Sequence, residues 1–338
     1  MRDTCGWKLD GAETMRASSS KLLGIWGGNR QNVSDDLRRH RIADPGKVLI
    51  QRDQSGAEAL IVSRLTYPGK FRSVFDAGIK IHSYLAMIVN QNIWEDLLKM
   101  ELRDYISSPI PDLMKLPRAK ELFKLIKSSD DWEPSRRYYF INKKLCHQSN
   151  YGGSANRFAL SVVTESEGQV KITLKEAERL LNCYHNLFPE IKMWHRDIER
   201  EYECHHMLYN LFGFPWKIDK PKTDSLLRKL YAFKPQSTVG VITHRAITAM
   251  QDYIEENKKD WDLLNNCHDS MLWQCPEDKE EIRESILVSE KFMNQELVSP
   301  RGEKFTMKSE AAIGYNWGHH KECNPQGLGC LPVENYLN

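Results

Sequence analysis

Two apolar runs each abut an aspartate: Val48-Leu49-Ile50 stands just before Asp53, and Met271-Leu272-Trp273 follows just after Asp269. Each run reads as a strand with a carboxylate at its end. The aspartates are 269 − 53 = 216 residues apart, so a fold that uses both must bring the chain back to one place after a long excursion. That excursion carries mostly helical spacing. The pattern points to an α+β architecture: a sheet holding both aspartates and a helical subdomain between its strands.

Local signals arrange the rest around those strands. Residues 47–65 read as a strand, a turn and the start of a helix, and residues 70–215 as mostly helical. Thr173-Leu174-Lys175-Glu176 is a capping box ahead of Ala177, Leu180, Leu181 and Tyr184. Pro189 interrupts that helix, and a second runs from Glu190 to about His206. Residues 226–257 read as a long amphipathic helix with Pro235 near its start or at a kink. Residues 261–275 read as a hairpin with His268-Asp269 at or near the bend. Residues 1–46 carry the loop signals Ser18-Ser19-Ser20 and Gly27-Gly28 and are expected to be irregular. Residues 91–135 are charged and Pro-interrupted and are assigned only loosely.

With 338 residues, 41% hydrophobic and 28% charged, the chain can bury a sizeable core, expected as two subdomains. No apolar run approaches the ~18 residues of a membrane span. Met1-Arg2-Asp3-Thr4-Cys5-Gly6 lacks the apolar region of a secretory signal. Eight cysteines without a repeated spacing read as reduced thiols in a cytosolic setting. The net charge of +2 neither demands nor excludes nucleic acid. Local basic stretches, such as Arg38-Arg39-His40-Arg41 and Arg136-Arg137 with Lys143-Lys144, can grip phosphates or simply solvate a surface.

Two carboxylates from separate strands suit hard divalent cations. Two Mg²⁺ ions roughly 3.5–4 Å apart activate an attacking hydroxyl and stabilise a leaving pyrophosphate. Strand-end aspartates are also common caps and turn formers, so that reading stays open. A helix predicted over about 134–151 opens at Pro134, ends at Gly152-Gly153, and sets Lys143, His147 and Tyr151 four apart on one face. A cation, an imidazole and an aromatic ring there suit a nucleoside triphosphate. The alternative is a surface lysine, a capping histidine and a core tyrosine. His319-His320 with Cys323 and Cys330 has the residue types of a zinc site but not the spacing, and a loose C-terminal tail is expected instead.

Taken in order, these segments resemble family A DNA polymerases, the DNA polymerase I type, in their phage-like form. Asp53-Gln54-Ser55-Gly56-Ala57-Glu58 resembles motif A. Lys143-x-x-x-His147-x-x-Asn150-Tyr151-Gly152 resembles motif B on the fingers helix, and His268-Asp269-Ser270 resembles motif C. Thr14-Met15-Arg16-Ala17-Ser18-Ser19 is similar to the primer-strand loop, and Asn29-Arg30-Gln31-Asn32-Val33 to the Asn-x-Gln-Asn segment. Gly78-Ile79-Lys80-Ile81-His82 resembles the Gly-x-x-x-His after motif A. Arg228 with Pro235-Gln236 is similar to the helix at the primer–template minor groove, and Gly314-Tyr315-Asn316-Trp317 to the C-terminal end. The resemblance covers about residues 14–322.

The resemblance implies a right-hand polymerase core, with an antiparallel palm sheet in residues 1–65 and 216–338 and helical fingers in 66–215. It implies addition of deoxynucleotides to a primer 3′ end with release of pyrophosphate, using two Mg²⁺ ions for which Mn²⁺ can substitute. Asp53 and Asp269 would be the catalytic metal ligands, with the Gln54 carbonyl assisting. Lys143, His147 and Tyr151 would meet the incoming nucleotide, and Glu58 with Tyr151 would crowd a ribose 2′-OH. Arg16, Arg228, Gln236 and His268 would hold primer and template. The implied partners are primer–template DNA and deoxynucleoside triphosphates, with no membrane, and the implied setting is the cytoplasm, a host's if the protein is viral.

The chain departs from the family pattern at several points. Tyr139 stands where an arginine is expected one turn before Lys143, with Arg136 or Arg137 as substitutes. His147 replaces an aromatic, Ser270 a glutamate, and Gly213-Phe214-Pro215 a Gly-Arg-Arg. Thirteen residues before Thr14 leave no room for a thumb or a 3′–5′ exonuclease, so the chain is expected to be a fragment or to have a partner subunit. Two other functions stay open. A single-subunit RNA polymerase shares His-Asp-Ser but would have Gly where Glu58 stands. A catalytically weak nucleic-acid-binding subunit of a split polymerase is motivated by the missing thumb and by Ser270.

Overall fold

The computed structural model describes residues 6–8, 14, 16, 18–20, 29–54, 56–127 and 134–337. The fold is α+β and divides into two compact units. The sheet unit takes Met1–Glu58, Tyr209–Trp216 and Phe233–Asn338, and the helical unit takes Ala59–Leu208 and Lys217–Ala232. In chain order the main elements are β1 (Lys47–Gln54), α1 (Ala57–Leu65), α2 (Ile81–Val89), α3 (Pro134–Asn150), α4 (Leu174–Leu187), α5 (Pro189–His205), α6 (Asp224–Glu256), β2 (Asp262–Cys267), β3 (Ser270–Pro276), α7 (Lys279–Met293) and β4 (Ser309–Gly314).

The central sheet has the order β4-β1-β3-β2 and is antiparallel throughout. Alternate residues of β1 serve two cores. Val48 and Ile50 pack with Trp273 of β3, Ala246 and Met250 of α6, and Ile282 and Ile286 of α7. Leu49 faces the other way, toward Leu272, Cys267, Trp317 and Leu328. A strand covered on both faces needs no polar alternation, so Val48-Leu49-Ile50 is a continuous apolar run. Trp273 is wholly buried; truncating it to alanine would cost about 3–5 kcal/mol.

The helical unit follows its sequence signals closely. The Thr173 hydroxyl accepts from the Glu176 backbone N–H at 3.1 Å and caps α4. Phe188 ends that helix, and Pro189 opens α5, where its missing N–H is harmless. Glu190 is buried and accepts from the Phe71 N–H at 2.6 Å. Residues 91–127 form four short helices, Gln91–Leu98, Arg103–Ser107, Ile110–Leu113 and Ala119–Lys127; left-handed Lys99 ends the first, and Pro109 and Pro117 stand in the two later breaks. Pro235 lies well inside α6, which begins at Asp224. The division between the units falls in the same helix, between Ala232 and Phe233.

Two expectations need correction. Ser18–Ser20 is a strand, paired antiparallel with Gly6–Lys8. The serines work as a strand because the following segment satisfies them: Ser19 Oγ accepts from the Arg30 N–H at 2.7 Å, and the Ser19 N–H donates to Gln31 Oε1 at 3.3 Å. The C-terminal segment is not a loose tail. Asn316–His319 pairs in parallel with Gly327–Leu328, Trp317 is buried, and the Arg38 guanidinium lies 4.5 Å over its ring. A Cβ on Gly314 would come within 2.5 Å of the Gly327 carbonyl oxygen, so only glycine allows that return. The seven described cysteines are free thiols. Among the described residues, no helix is long and apolar enough to cross a membrane.

Candidate active site

In the sheet unit, strand register builds a group around Asp53. Asp53 faces Ser270 of β3 on one side and Glu310 of β4 on the other. Asp269 directly precedes Ser270 in the two-residue turn that joins β2 to β3. His268, its partner in the turn, adopts the left-handed conformation (φ 59°) that such tight hairpins require. The Gln54 N–H donates to the Asp269 carbonyl at 3.2 Å, which pins the turn to the end of β1. Residues 216 positions apart thus carry their carboxylates at the same end of paired strands.

Around them stand several residues singled out from the sequence. Glu58, in the first turn of α1, is ion-paired with Arg16 and accepts from Gln236 Nε2 at 3.4 Å. Burial pushes the Asp269 carboxyl up; Arg16 and His268 pull it down, and Glu58 adds to the rise. Burial pushes His268 down, with Arg16 contributing, and His268 Nε2 lies 3.0 Å from Asn32 Oδ1. Asp53 is exposed and Asp269 half-buried. The Gln54 side chain turns inward, donating to Thr243 Oγ1 of α6 at 2.8 Å, so only its backbone is left on the Asp269 side.

Sequence reasoning missed the neighbours that set this geometry. Glu310 was not singled out, since nothing in Ser309–Gly314 tells which strand it joins. Arg52 points to the opposite sheet face from Asp53, is buried, and donates to Ser289 Oγ and to the Ile286 carbonyl, both at 2.9 Å. Burial holds its pKa down to about 10. These bonds tie the end of β1 to α7. Ser270 is buried too: its hydroxyl donates to the Cys267 carbonyl at 3.1 Å and accepts from Gln51 Nε2 at 3.3 Å. It closes the hairpin where the family pattern has a carboxylate. Among the described residues, no three His, Cys, Asp or Glu side chains converge as a cation cage.

In the helical unit, α3 carries the second group. Lys143 and His147 are exposed, whereas Tyr151 is buried. The His147 and Tyr151 rings meet edge to face, 4.9 Å apart at 90°. Lys144 points elsewhere and is ion-paired with Glu165. Burial pushes half-buried His82 down to about 3, and Lys143, Lys80, His147 and Lys144 push it the same way. Lys143 and Lys80 thus put positive charge beside His82. His82 closes the Gly78-Ile79-Lys80-Ile81-His82 segment. Its ring packs edge-on against Tyr139, 5.9 Å away, so the residue at the expected arginine position has a packing role. Arg137 Nη2 donates to the Lys171 carbonyl at 3.3 Å, and the Arg136 side chain lies outside the described residues. Arg228, half-buried on α6, approaches Gly152 just past the end of α3.

The profile described as DNA polymerase family A matches residues 119–319, more than half of the chain. The chain is 20% identical over 289 residues to the DNA polymerase I A, chloroplastic/mitochondrial, of Arabidopsis thaliana, aligning 83% of this chain with 25% of that protein. Its fold is similar to the solved POL domain of Pol1 from M. smegmatis in complex with DNA primer-template and dNTP, with a TM-score of 0.63 and 18% sequence identity over 93% of this chain and 48% of that one. The chain thus spans about a quarter of the curated relative and about half of the solved one. The likeness agrees with the α+β right-hand polymerase core expected from the sequence.

Proposed function

The chain belongs to DNA polymerase family A, and from that premise we propose that it catalyses template-directed DNA synthesis, adding deoxynucleotides to a primer 3′ end with release of pyrophosphate. The observation that carries this reading is the register that sets the Asp269 turn against the end of β1 beside Asp53. Asp53 and Asp269 would hold two Mg²⁺ ions, replaceable by Mn²⁺. The donors fit: hard carboxylate oxygens on strand ends, one of them raised in pKa by burial, so that a bound cation would offset its desolvation. Bound there, the ions would supply Lewis-acid stabilisation of charge developing on the transferring phosphate.

The chain's own residues bind and orient. Lys143 meets the triphosphate as a charge-assisted donor, supported by the positive charge beside His82. His147 and Tyr151 meet the rest of the incoming nucleotide. Glu58 crowds a ribose 2′-OH, which selects deoxyribonucleotides. Arg16, Gln236, His268 and Arg228 hold primer and template. The Arg16–Glu58–Gln236 contacts support linking the primer grip to the sugar-sensing carboxylate.

The test is primer extension with Mg²⁺ by the purified chain, alone and with candidate partner subunits, using deoxyribonucleotides and ribonucleotides in parallel. Extension with deoxyribonucleotides supports the proposal. A preference for ribonucleotides moves the reading to an RNA polymerase. Template binding without extension under any combination moves it to a nucleic-acid-binding subunit.

A further inference from the structure

Under the C-terminal end of α3 lies a polar network that the polymerase reading does not use. His195 of α5 is buried, and its Nε2 lies 2.7 Å from the Asn150 carbonyl oxygen. A carbonyl can only accept, so Nε2 carries the proton. Burial pushes His195 down to about 4, which keeps the ring neutral at neutral pH. Its face stacks on Tyr231 of α6, with centroids 3.9 Å apart and planes at 14°. The Tyr231 hydroxyl donates to Glu199 Oε1 at 2.7 Å, and Glu199 is paired with Lys222 at 2.8 Å. Asn150 is held again through its side chain, whose Oδ1 accepts from the Tyr184 hydroxyl at 2.6 Å. Gly152 is left-handed (φ 67°), and a Cβ there would stand 2.8 Å from the Tyr231 ring.

Tyr151 therefore sits between a clamped carbonyl and a glycine pressed onto an aromatic ring. The last carbonyls of a helix have no partner within it and usually turn to water or a cap. Here one of them is taken by an imidazole from another helix. We propose that His195 and Tyr231 are positioning residues that fix, through the Asn150 carbonyl and Gly152, where α3 ends and so how the Tyr151 ring is presented to the incoming nucleotide. This rests on the reading of Tyr151 as a nucleotide contact.

The experiment uses the full chain with His195→Leu, His195→Gln, Tyr231→Leu and Tyr151→Ala. The readouts are kcat and KM for the deoxynucleotide in primer extension, and amide hydrogen exchange at Tyr151 to Gly153. His195→Leu should raise KM about tenfold, the scale of one lost hydrogen bond, with kcat changed far less, and should speed exchange at those amides. The Gln side-chain nitrogen can reach the same carbonyl, so His195→Gln should restore both. Tyr231→Leu should act in the same direction as His195→Leu and replaces it if that variant does not fold. Unchanged exchange in the Leu variants would overturn the clamp, whatever reaction the chain catalyses. Faster exchange with an unchanged KM would overturn its service to the nucleotide. Tyr151→Ala judges the parent reading separately: an unmoved KM there removes the nucleotide role from Tyr151, while the exchange result still decides the clamp.

Discussion

Lys143, His147 and Tyr151 share a face because one helix repeats every 3.6 residues, whereas Asp53 and Asp269 come together only because β1 and β3 pair in one register. The helical group is written in nine consecutive residues and tolerates small shifts of packing around it. The strand group tolerates none: a slip of one residue would turn Asp53 to the face that Arg52 now occupies, against Ser289 and Ile286 of α7. The supporting bonds differ accordingly. β1 is pinned at its end by Arg52 and by the Gln54–Asp269 backbone bond, while α3 is held mainly along its buried side by Ile141, Leu145 and Cys146. Chemistry that depends on the distance between two charges is placed where register is over-determined.

The sharpest way to break this contrast is at the carboxylates. Asp53→Asn should lower the rate of primer extension by about 10³-fold or more, because the lost carboxylate would hold an ion that stabilises charge developing on the phosphate. Glu310→Gln, on the other side of Asp53, should cost far less. An equal loss would mean that the site is wider than the Asp53–Asp269 pair. Next in size, Lys143→Ala should cut kcat/KM for nucleotide by roughly 10²-fold. Lys144→Ala should stay close to wild type, since Lys144 is engaged with Glu165. The reverse result would shift the helix face by one residue. Smaller again, Glu58→Ala should move the kcat/KM ratio toward ribonucleotides by about tenfold or more, matching about 1–3 kcal/mol for a poorly accommodated hydroxyl. A ratio unmoved by the substitution would detach Glu58 from sugar selection.

The two units should also respond differently to acid. In the helical unit, burial holds His82 to about 3, and His185 and His195 to about 4, below the ordinary histidine value of 6.5. The unfolded chain then binds more protons between pH 6.5 and 4, so stability is full above 6.5 and is lost as pH falls toward 4. The sheet unit also holds histidines lowered by burial, His244 and His268, but by less, and its Asp269 carboxyl is raised, so the loss of stability in acid is weaker there. Asp269→Asn should raise Tm rather than lower it, while primer extension falls by about 10³-fold or more. Residue-resolved hydrogen exchange against pH separates the units; equal acid sensitivity in both would contradict the assignment.

What the sequence made legible was local. The β1 run, the Pro134 start of α3, the Thr173 cap of α4 and the His268-Asp269 bend all follow from turn chemistry and periodicity within a few residues. What stayed hidden depends on partners far along the chain. Ser18–Ser20 looks like a loop until Asn29-Arg30-Gln31 satisfies it. Glu310 has no local mark, because its position beside Asp53 is a property of the β4–β1 pairing. His195 and Tyr231 look like ordinary core residues on two helices until their rings stack beneath Asn150.

The central claim is that two aspartates 216 residues apart form one chemical unit. A double-mutant cycle on primer extension tests it most directly, with Asp53→Asn, Asp269→Asn and the two combined, each with its fold checked by thermal melting. If both serve one site, each single substitution should lose about 10³-fold or more and the double should lose little beyond the worse single, because a broken unit cannot be broken twice. Near-normal extension by either single variant, or losses that simply multiply in the double, would contradict the account.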